Sequence, residues 1–144
     1  MNGYSRAYAS NKYEGMSPER LILALYDGAL RFMDQAKEAM LEQSVAKKGE
    51  AISKAVAIVA ELQSSLNPTA GELVENLEAL YDFVLRELAQ ANLHSDVKHL
   101  GEARKIIAML RDGWSSMLDT QNRSAPSPDA APFEPRKALV KGYL

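Results

Sequence analysis

One pair of residues in the sequence has a spacing that metal chemistry uses. Asp96 and His99 are separated by two residues, and His94 is the sole other histidine. A di-metal site in a helical bundle needs a Glu-x-x-His pair from each of two helices and a carboxylate from each of two more. A single pair at a helix start is typical of a cap beside a surface histidine. We therefore expect no metal site and no cofactor, which disfavours a metal-dependent oxygen enzyme.

Nucleotide and nucleophile chemistry also lack the residues that they require. Residues 47–50 hold two lysines, a glycine and a glutamate, without the leading glycine and the following hydroxyl of a phosphate-binding loop. No serine is paired with a base at a meaningful spacing. The sequence therefore predicts a protein that is not an enzyme.

Charge and composition narrow the class of partner. The formal net charge of −2 gives no basic footprint for a phosphate backbone, so we expect no nucleic acid. The chain has no cysteine and no run of ~18 apolar residues that would span a membrane. These features predict a cytoplasmic protein without direct membrane insertion, whose partner is another protein.

Four segments repeat apolar residues at the three-and-four spacing of amphipathic helices. The first begins at Ser17, a helix-capping serine followed by proline and glutamate. The segments are separated by breaks near Ser44, Pro68 and Ser95. Short connections force consecutive helices to run back alongside each other. The sequence therefore predicts an all-α protein, an antiparallel four-helix bundle over residues 17–121.

Both ends of the chain lie outside this periodic pattern. Residues 1–16 form a predicted N-terminal arm with three tyrosines, Tyr4, Tyr8 and Tyr13. Tyrosine suits an interface because its ring is buried while its hydroxyl stays hydrated. Residues 122–144 hold four of the six prolines and are predicted to be a flexible Pro-rich C-terminal extension.

Two helices carry a second apolar stripe beside the one that faces the core. In the third helix we expect the core stripe to be Leu73, Leu77, Leu80 and Val84. The first helix adds Leu23, Tyr26 and Leu30, the third adds Val74, Tyr81 and Leu85, and the second contributes Ile58. A broad buried face is the alternative explanation for any one of these residues. Together they predict a hydrophobic groove that an amphipathic partner helix fills.

Several landmarks stand in a fixed order along the chain: Tyr8-x-x-Asn11, the run SPERLILALYDGA from Ser17 to Ala29, the second Leu-Tyr-Asp at residues 80–82, and Leu110-Arg111-Asp112-Gly113-Trp114. Together they resemble the FliS family of flagellin-specific secretion chaperones. The resemblance extends from Tyr8 to Met117, and its repeated landmarks keep their order and spacing.

This resemblance implies a chaperone that holds the C-terminal segment of flagellin, prevents premature polymerisation and presents it to the membrane export gate. With the apolar stripes, it implies partner contacts at Tyr4, Tyr8, Asn11, Leu21, Leu23, Tyr26, Asp27, Leu30, Tyr81 and Leu85. The alternative is a helical adaptor or a homodimeric bundle without flagellin specificity, in which the same apolar excess joins two copies.

Overall fold

The structure is a computed structural model that describes residues 15–121. Its elements are α1 (Pro18–Leu41), α2 (Val45–Ser64), a 3₁₀ turn (Pro68–Ala70), α3 (Glu72–His94) and α4 (Val97–Gln121). None of these described residues forms a strand. The predicted all-α fold class is confirmed.

Local signals in the sequence set the helix ends. The backbone N–H of Arg20 donates to the Ser17 side-chain oxygen (3.3 Å), which satisfies one of the unpaired amides at the start of α1. Ser95 adopts a left-handed conformation (φ 49°) and ends α3. Asp96 then accepts a hydrogen bond from the backbone N–H of Lys98 (2.8 Å) at the start of α4. The breaks that the sequence predicts therefore fall where the helices end.

The helices form an antiparallel ring in which α1 and α3 each pack against α2 and α4. The α1–α2 contact is the most extensive and uses small residues. A Cβ atom placed on Gly28 of α1 would lie 3.3 Å from Ile58 Cδ1 of α2, so glycine permits this close approach. The predicted antiparallel four-helix bundle is confirmed.

One hydrophobic core runs along the centre of the ring. Leu25, Val59, Leu88 and Ile107, one from each helix, are fully buried. Burying a side chain of this size stabilises the fold by about 2 kcal/mol. None of the helices within residues 15–121 combines the length and the hydropathy that a bilayer-crossing helix needs.

The rotation of α3 differs from the one that the sequence predicts. Leu73 is 49% exposed and Leu80 is partly exposed, whereas Val74 and Tyr81 are buried in the core. The predicted and observed stripes share Leu77 and Val84 and differ by one residue at two positions. Apolar residues fill both stripes, so periodicity alone does not choose between them.

Candidate partner-binding surface

The contact between α1 and α4 is covered by two ion pairs, and we call it the α1–α4 seam. Arg104 Nε lies 2.7 Å from an Asp34 carboxylate oxygen, and Arg111 Nε lies 2.8 Å from one of Asp27. The carboxylates are seven residues apart on α1, as are the arginines on α4. Each hydrogen bond raises the pKa of its guanidinium above the ordinary value. These pairs fix the antiparallel register of the two helices.

Two predicted groove residues lie along this α1–α4 seam. Leu23 and Leu30 are partly buried and pack against the core beside the ion-paired carboxylates. Asp27 is exposed, and its carboxylate accepts the hydrogen bond from Arg111. The seam is therefore bridged by side chains of the protein itself and is not an open groove.

Three residues expected to contact a partner are buried inside the bundle. Leu21 and Tyr26 belong to the core of α1, and Tyr81 of α3 is fully buried. The two tyrosine hydroxyls lie 2.5 Å apart and form one hydrogen bond across the core. This placement corrects the prediction that these side chains supply groove surface. The physical reason is that each phenol finds its polar partner in the other, so both rings can be buried.

Burial changes the titration of this tyrosine pair. Loss of solvation raises the pKa of Tyr26 to about 12, against a smaller lowering by the hydrogen bond from Tyr81. The pKa of Tyr81 rises well above its usual range, chiefly through burial and then through repulsion between the two phenolates. Both hydroxyls are therefore neutral at physiological pH.

The contact between α3 and α4, the α3–α4 seam, is apolar over much of its length. His99 Nδ1 lies 2.5 Å from Glu87 Oε2, which fixes the register of these helices. Leu80 lies seven residues before Glu87 on α3, and Ile106 lies seven residues after His99 on α4. The antiparallel register therefore places these two partly exposed residues opposite each other. A second step of seven residues on each helix places Leu73 opposite Gly113.

The end of this α3–α4 seam near Leu73 is exposed to solvent. A Cβ atom on Gly113 would have no neighbour within 4 Å, so there is free space beside the exposed leucine. Phe83, Leu110 and Met117 are partly exposed on the same flank of the two helices. The sequence interpretation missed this surface because it assigned Leu73 and Leu80 to the core.

The opposite end of the bundle, which we call the loop end, carries three strongly exposed aliphatic residues. Leu41, Val45 and Leu93 are 71%, 72% and 74% exposed. Beneath them the Lys48 ammonium group donates to the Asn92 carbonyl oxygen (2.8 Å) and the Ser95 hydroxyl (2.6 Å). This lysine ties α2 to the end of α3, a structural role that no local sequence pattern indicated.

Other candidate sites do not assemble within residues 15–121. That range contains no group of three or more histidine, cysteine or acidic side chains arranged to hold a metal ion. Leu85 is partly exposed on the α2 side of α3 and packs against the core. The predicted arm contacts at Tyr4, Tyr8 and Asn11 lie outside the described residues, and their role stays a prediction.

Comparisons with known proteins agree over most of the chain. A protein-family model described as "Flagellar protein FliS" matches residues 1–121. The chain is 32% identical over 117 residues to the flagellar secretion chaperone FliS of Bacillus subtilis, covering 81% of this chain and 87% of that one. It is 31% identical over 119 residues to the Salmonella typhimurium chaperone FliS, covering 81% and 88%. It is 30% identical over 118 residues to the Pseudomonas aeruginosa chaperone FliSB, covering 81% and 94%.

Proposed function

The chain belongs to the FliS family, and from this premise we propose that it is a flagellar secretion chaperone that binds the C-terminal segment of flagellin. Bound to the chaperone, that segment is kept from packing against other flagellin subunits, so the subunits stay monomeric until export. Cytoplasmic loading and delivery to the membrane export gate are part of the same proposal. The protein acts by binding and carries out no catalysis.

The single observation that carries this proposal is the open apolar α3–α4 seam. Leu73 is half exposed beside the free space at Gly113, and the seam continues to Leu80 and Ile106. An amphipathic helix fits such a surface by placing apolar side chains between the ridges of two helices. Flagellin's terminal segment needs this cover because its apolar face is otherwise buried only against neighbouring subunits. We therefore place its primary contact at this seam.

The other predicted contacts take secondary positions in the proposal. Leu23, Leu30 and Leu85 are partly exposed and extend the apolar surface around the bundle. Tyr26 and Tyr81 support this surface from inside the core, because their hydrogen bond fixes α1 relative to α3. The N-terminal arm, with Tyr4, Tyr8 and Asn11, would cover the apolar surface when no flagellin is bound. Leu21 and Asp27 would shape α1 rather than contact the partner.

A calorimetric titration of the full chain with a flagellin C-terminal peptide tests the proposal. We expect one-to-one binding with a large negative heat-capacity change, because apolar surface leaves water when the peptide docks. A peptide with the same composition in scrambled order is the control. Binding of neither peptide, or equal binding of both, would overturn the proposed function.

The exposed aliphatic residues at the loop end favour a second candidate, a self-associating structural bundle. Leu41, Val45 and Leu93 would be covered if two copies met at this end. Sedimentation of the full chain at micromolar concentration separates the two candidates. A monomer supports the chaperone, whereas a dimer that Leu41→Asp dissociates and that does not bind flagellin supports the structural bundle.

A further inference from the structure

Gly113 of α4 lies at the exposed end of the α3–α4 seam, and the packing of residues 15–121 does not require a glycine there. A glycine inside a helix weakens it relative to alanine, because the backbone loses more conformational freedom on folding. Gly28 of α1 is explained by its close approach to Ile58. A Cβ atom on Gly113, in contrast, would meet no atom of the described residues within 4 Å. The bundle itself therefore gains nothing from the missing side chain.

The missing side chain leaves a gap on the surface of α4, which we call the Gly113 notch. Leu110 and Met117 lie one turn to either side on the same face of α4, and both are partly exposed. Leu73 lies across the seam and is 49% exposed. Packed helices alternate large and small residues at facing positions. A position without a side chain among three long ones therefore accepts a large side chain from a facing helix.

The surface around the Gly113 notch is uncharged. On the sides of α3 and α4 that face each other, the residues between 73 and 83 and between 106 and 117 carry no charge. The contact between Glu87 and His99 bounds this stretch at its other end. A charged side chain of a partner would find no counterion along the stretch, so the surface suits the apolar face of a helix.

The next position along the seam is filled. Leu80 and Ile106 face each other seven residues from Leu73 and Gly113, and their branched side chains occupy the level that is empty at the notch. A helix lying along the seam meets this filled level about 10 Å from the notch, which is seven of its own residues. The two levels therefore favour a bulky side chain at one position of the partner and a small one seven residues away.

We propose that Gly113 determines the specificity of the flagellin site, and that its notch receives one bulky apolar side chain of a flagellin helix. A small side chain seven residues away lies over Leu80 and Ile106. This inference rests on the proposed function, because flagellin is the occupant. The flexible thioether of Met117 adapts to leucine, methionine or phenylalanine, so the notch selects for size rather than for one residue type.

The variant Gly113→Leu fills the notch, and Gly101→Leu is its matched control. Gly101 is also an exposed glycine of α4 with open space at its Cβ position, but it lies three residues before Arg104, on the α1 side of the helix. Titration of each full chain with the flagellin C-terminal peptide should show at least about tenfold weaker binding for Gly113→Leu and less than about twofold change for Gly101→Leu. Equal affinities of the two variants would overturn the role of the notch and leave the chaperone function intact. Failure of the wild type to bind would overturn both.

Urea denaturation separates a filled notch from a damaged fold. Both leucine variants should keep or raise the free energy of unfolding of the wild type, because leucine forms helices better than glycine. Gly113→Ala adds one methyl group to open space and should weaken peptide binding about threefold. A loss of stability for Gly113→Leu alone would mean that side chains of the bundle occupy the space, which would overturn the notch.

Alanine substitutions in the flagellin peptide, one at each bulky apolar residue, test the contact itself. One of them should weaken binding to the wild type most. That same peptide should regain most of the lost affinity toward Gly113→Leu, because the leucine of the chaperone then fills the space that the peptide has vacated. If no peptide compensates for Gly113→Leu in this way, the notch does not receive a side chain of flagellin and the inference is wrong.

Discussion

The two seams of α4 use the same geometry and reach opposite results. On the α1–α4 seam, two ion pairs spaced by seven residues, at Asp27 and Asp34, set the antiparallel register, and on the α3–α4 seam the single contact between Glu87 and His99 does so. On the α1–α4 seam, long charged side chains bridge the helices over Leu23 and Leu30. On the α3–α4 seam, the corresponding positions hold aliphatic residues and a glycine, so the surface stays open. The side chains at these spaced positions therefore decide which seam is bridged by ion pairs and which is left exposed.

The largest expected effect is a difference in stability between substitutions of two leucines of α3, one in the core and one on the α3–α4 seam. Leu88 is fully buried, so Leu88→Ala should lower the free energy of unfolding by about 2–5 kcal/mol through lost burial and a new cavity. Leu73→Ala, on the open seam, should cost less than ~1 kcal/mol because the side chain is half exposed. Urea denaturation measures both. Equal losses would mean that Leu73 belongs to the core and the α3–α4 seam is closed.

High pH should destabilise the bundle through the buried tyrosine pair, which joins α1 to α3. The folded-state pKa of Tyr26 lies at about 12, above its ordinary value of 10.0, so folding favours the neutral phenol. Its contribution is fully present below pH 10.0 and is lost as the pH rises toward 12. The loss should be roughly 3 kcal/mol from Tyr26 alone. Denaturation across this pH range measures it.

The control for this pH dependence is the double variant Tyr26→Phe/Tyr81→Phe, which has no buried phenol. Its unfolding free energy should fall less steeply between pH 10.0 and 12 than that of the wild type. Parallel declines for the two proteins would show that the tyrosines titrate normally and lie nearer to solvent than the structure places them.

The hydrogen bond between the tyrosines should appear as a coupling energy. Tyr26→Phe or Tyr81→Phe alone leaves the other buried hydroxyl without its partner, which costs about 1–3 kcal/mol. The double variant removes both hydroxyls and should cost less than the sum of the single changes. Denaturation of the four proteins at neutral pH gives the coupling. Additive losses would contradict the direct bond.

The smallest effect is expected at the ion pairs of the α1–α4 seam. Arg104 and Arg111 pair with partly exposed carboxylates, and such pairs contribute about 0.2–1 kcal/mol. Arg104→Gln and Arg111→Gln should each lower the free energy of unfolding by about this amount, and by less at high salt concentration. If either change instead strengthens flagellin binding, the α1–α4 seam is a binding surface that these pairs normally close.

Sequence reasoning predicted the features that neighbouring residues determine. Ser17 caps α1 and Asp96 caps α4, because a serine or aspartate accepts a hydrogen bond from a backbone amide two or three residues later. The helix breaks also agree with the structure, since each depends on residues within one short segment. The resemblance to the FliS family is confirmed by the family match.

Sequence reasoning did not predict the features that depend on residues far apart in the chain. The rotation of α3 brings Tyr81 to Tyr26, which is 55 residues away, and leaves Leu73 outside. Lys48 reaches the Asn92 carbonyl group 44 residues along the chain. Neither partner can be read from helical periodicity, which places a residue on a face of its own helix without showing what packs against that face. Tyr81, which was assigned to the groove, is therefore buried in the core instead.

The most direct test of the central claim compares two exposed leucines in flagellin binding. Leu73→Asp places a charge on the open α3–α4 seam, whereas Leu41→Asp places the same charge on the loop end, where the leucine is even more exposed. Titration of each full chain with the flagellin C-terminal peptide should show at least about tenfold weaker binding for Leu73→Asp, equal to ~1.4 kcal/mol, and unchanged binding for Leu41→Asp. Unchanged binding for Leu73→Asp, or an equal loss for both, would contradict the assignment of the partner surface to this seam.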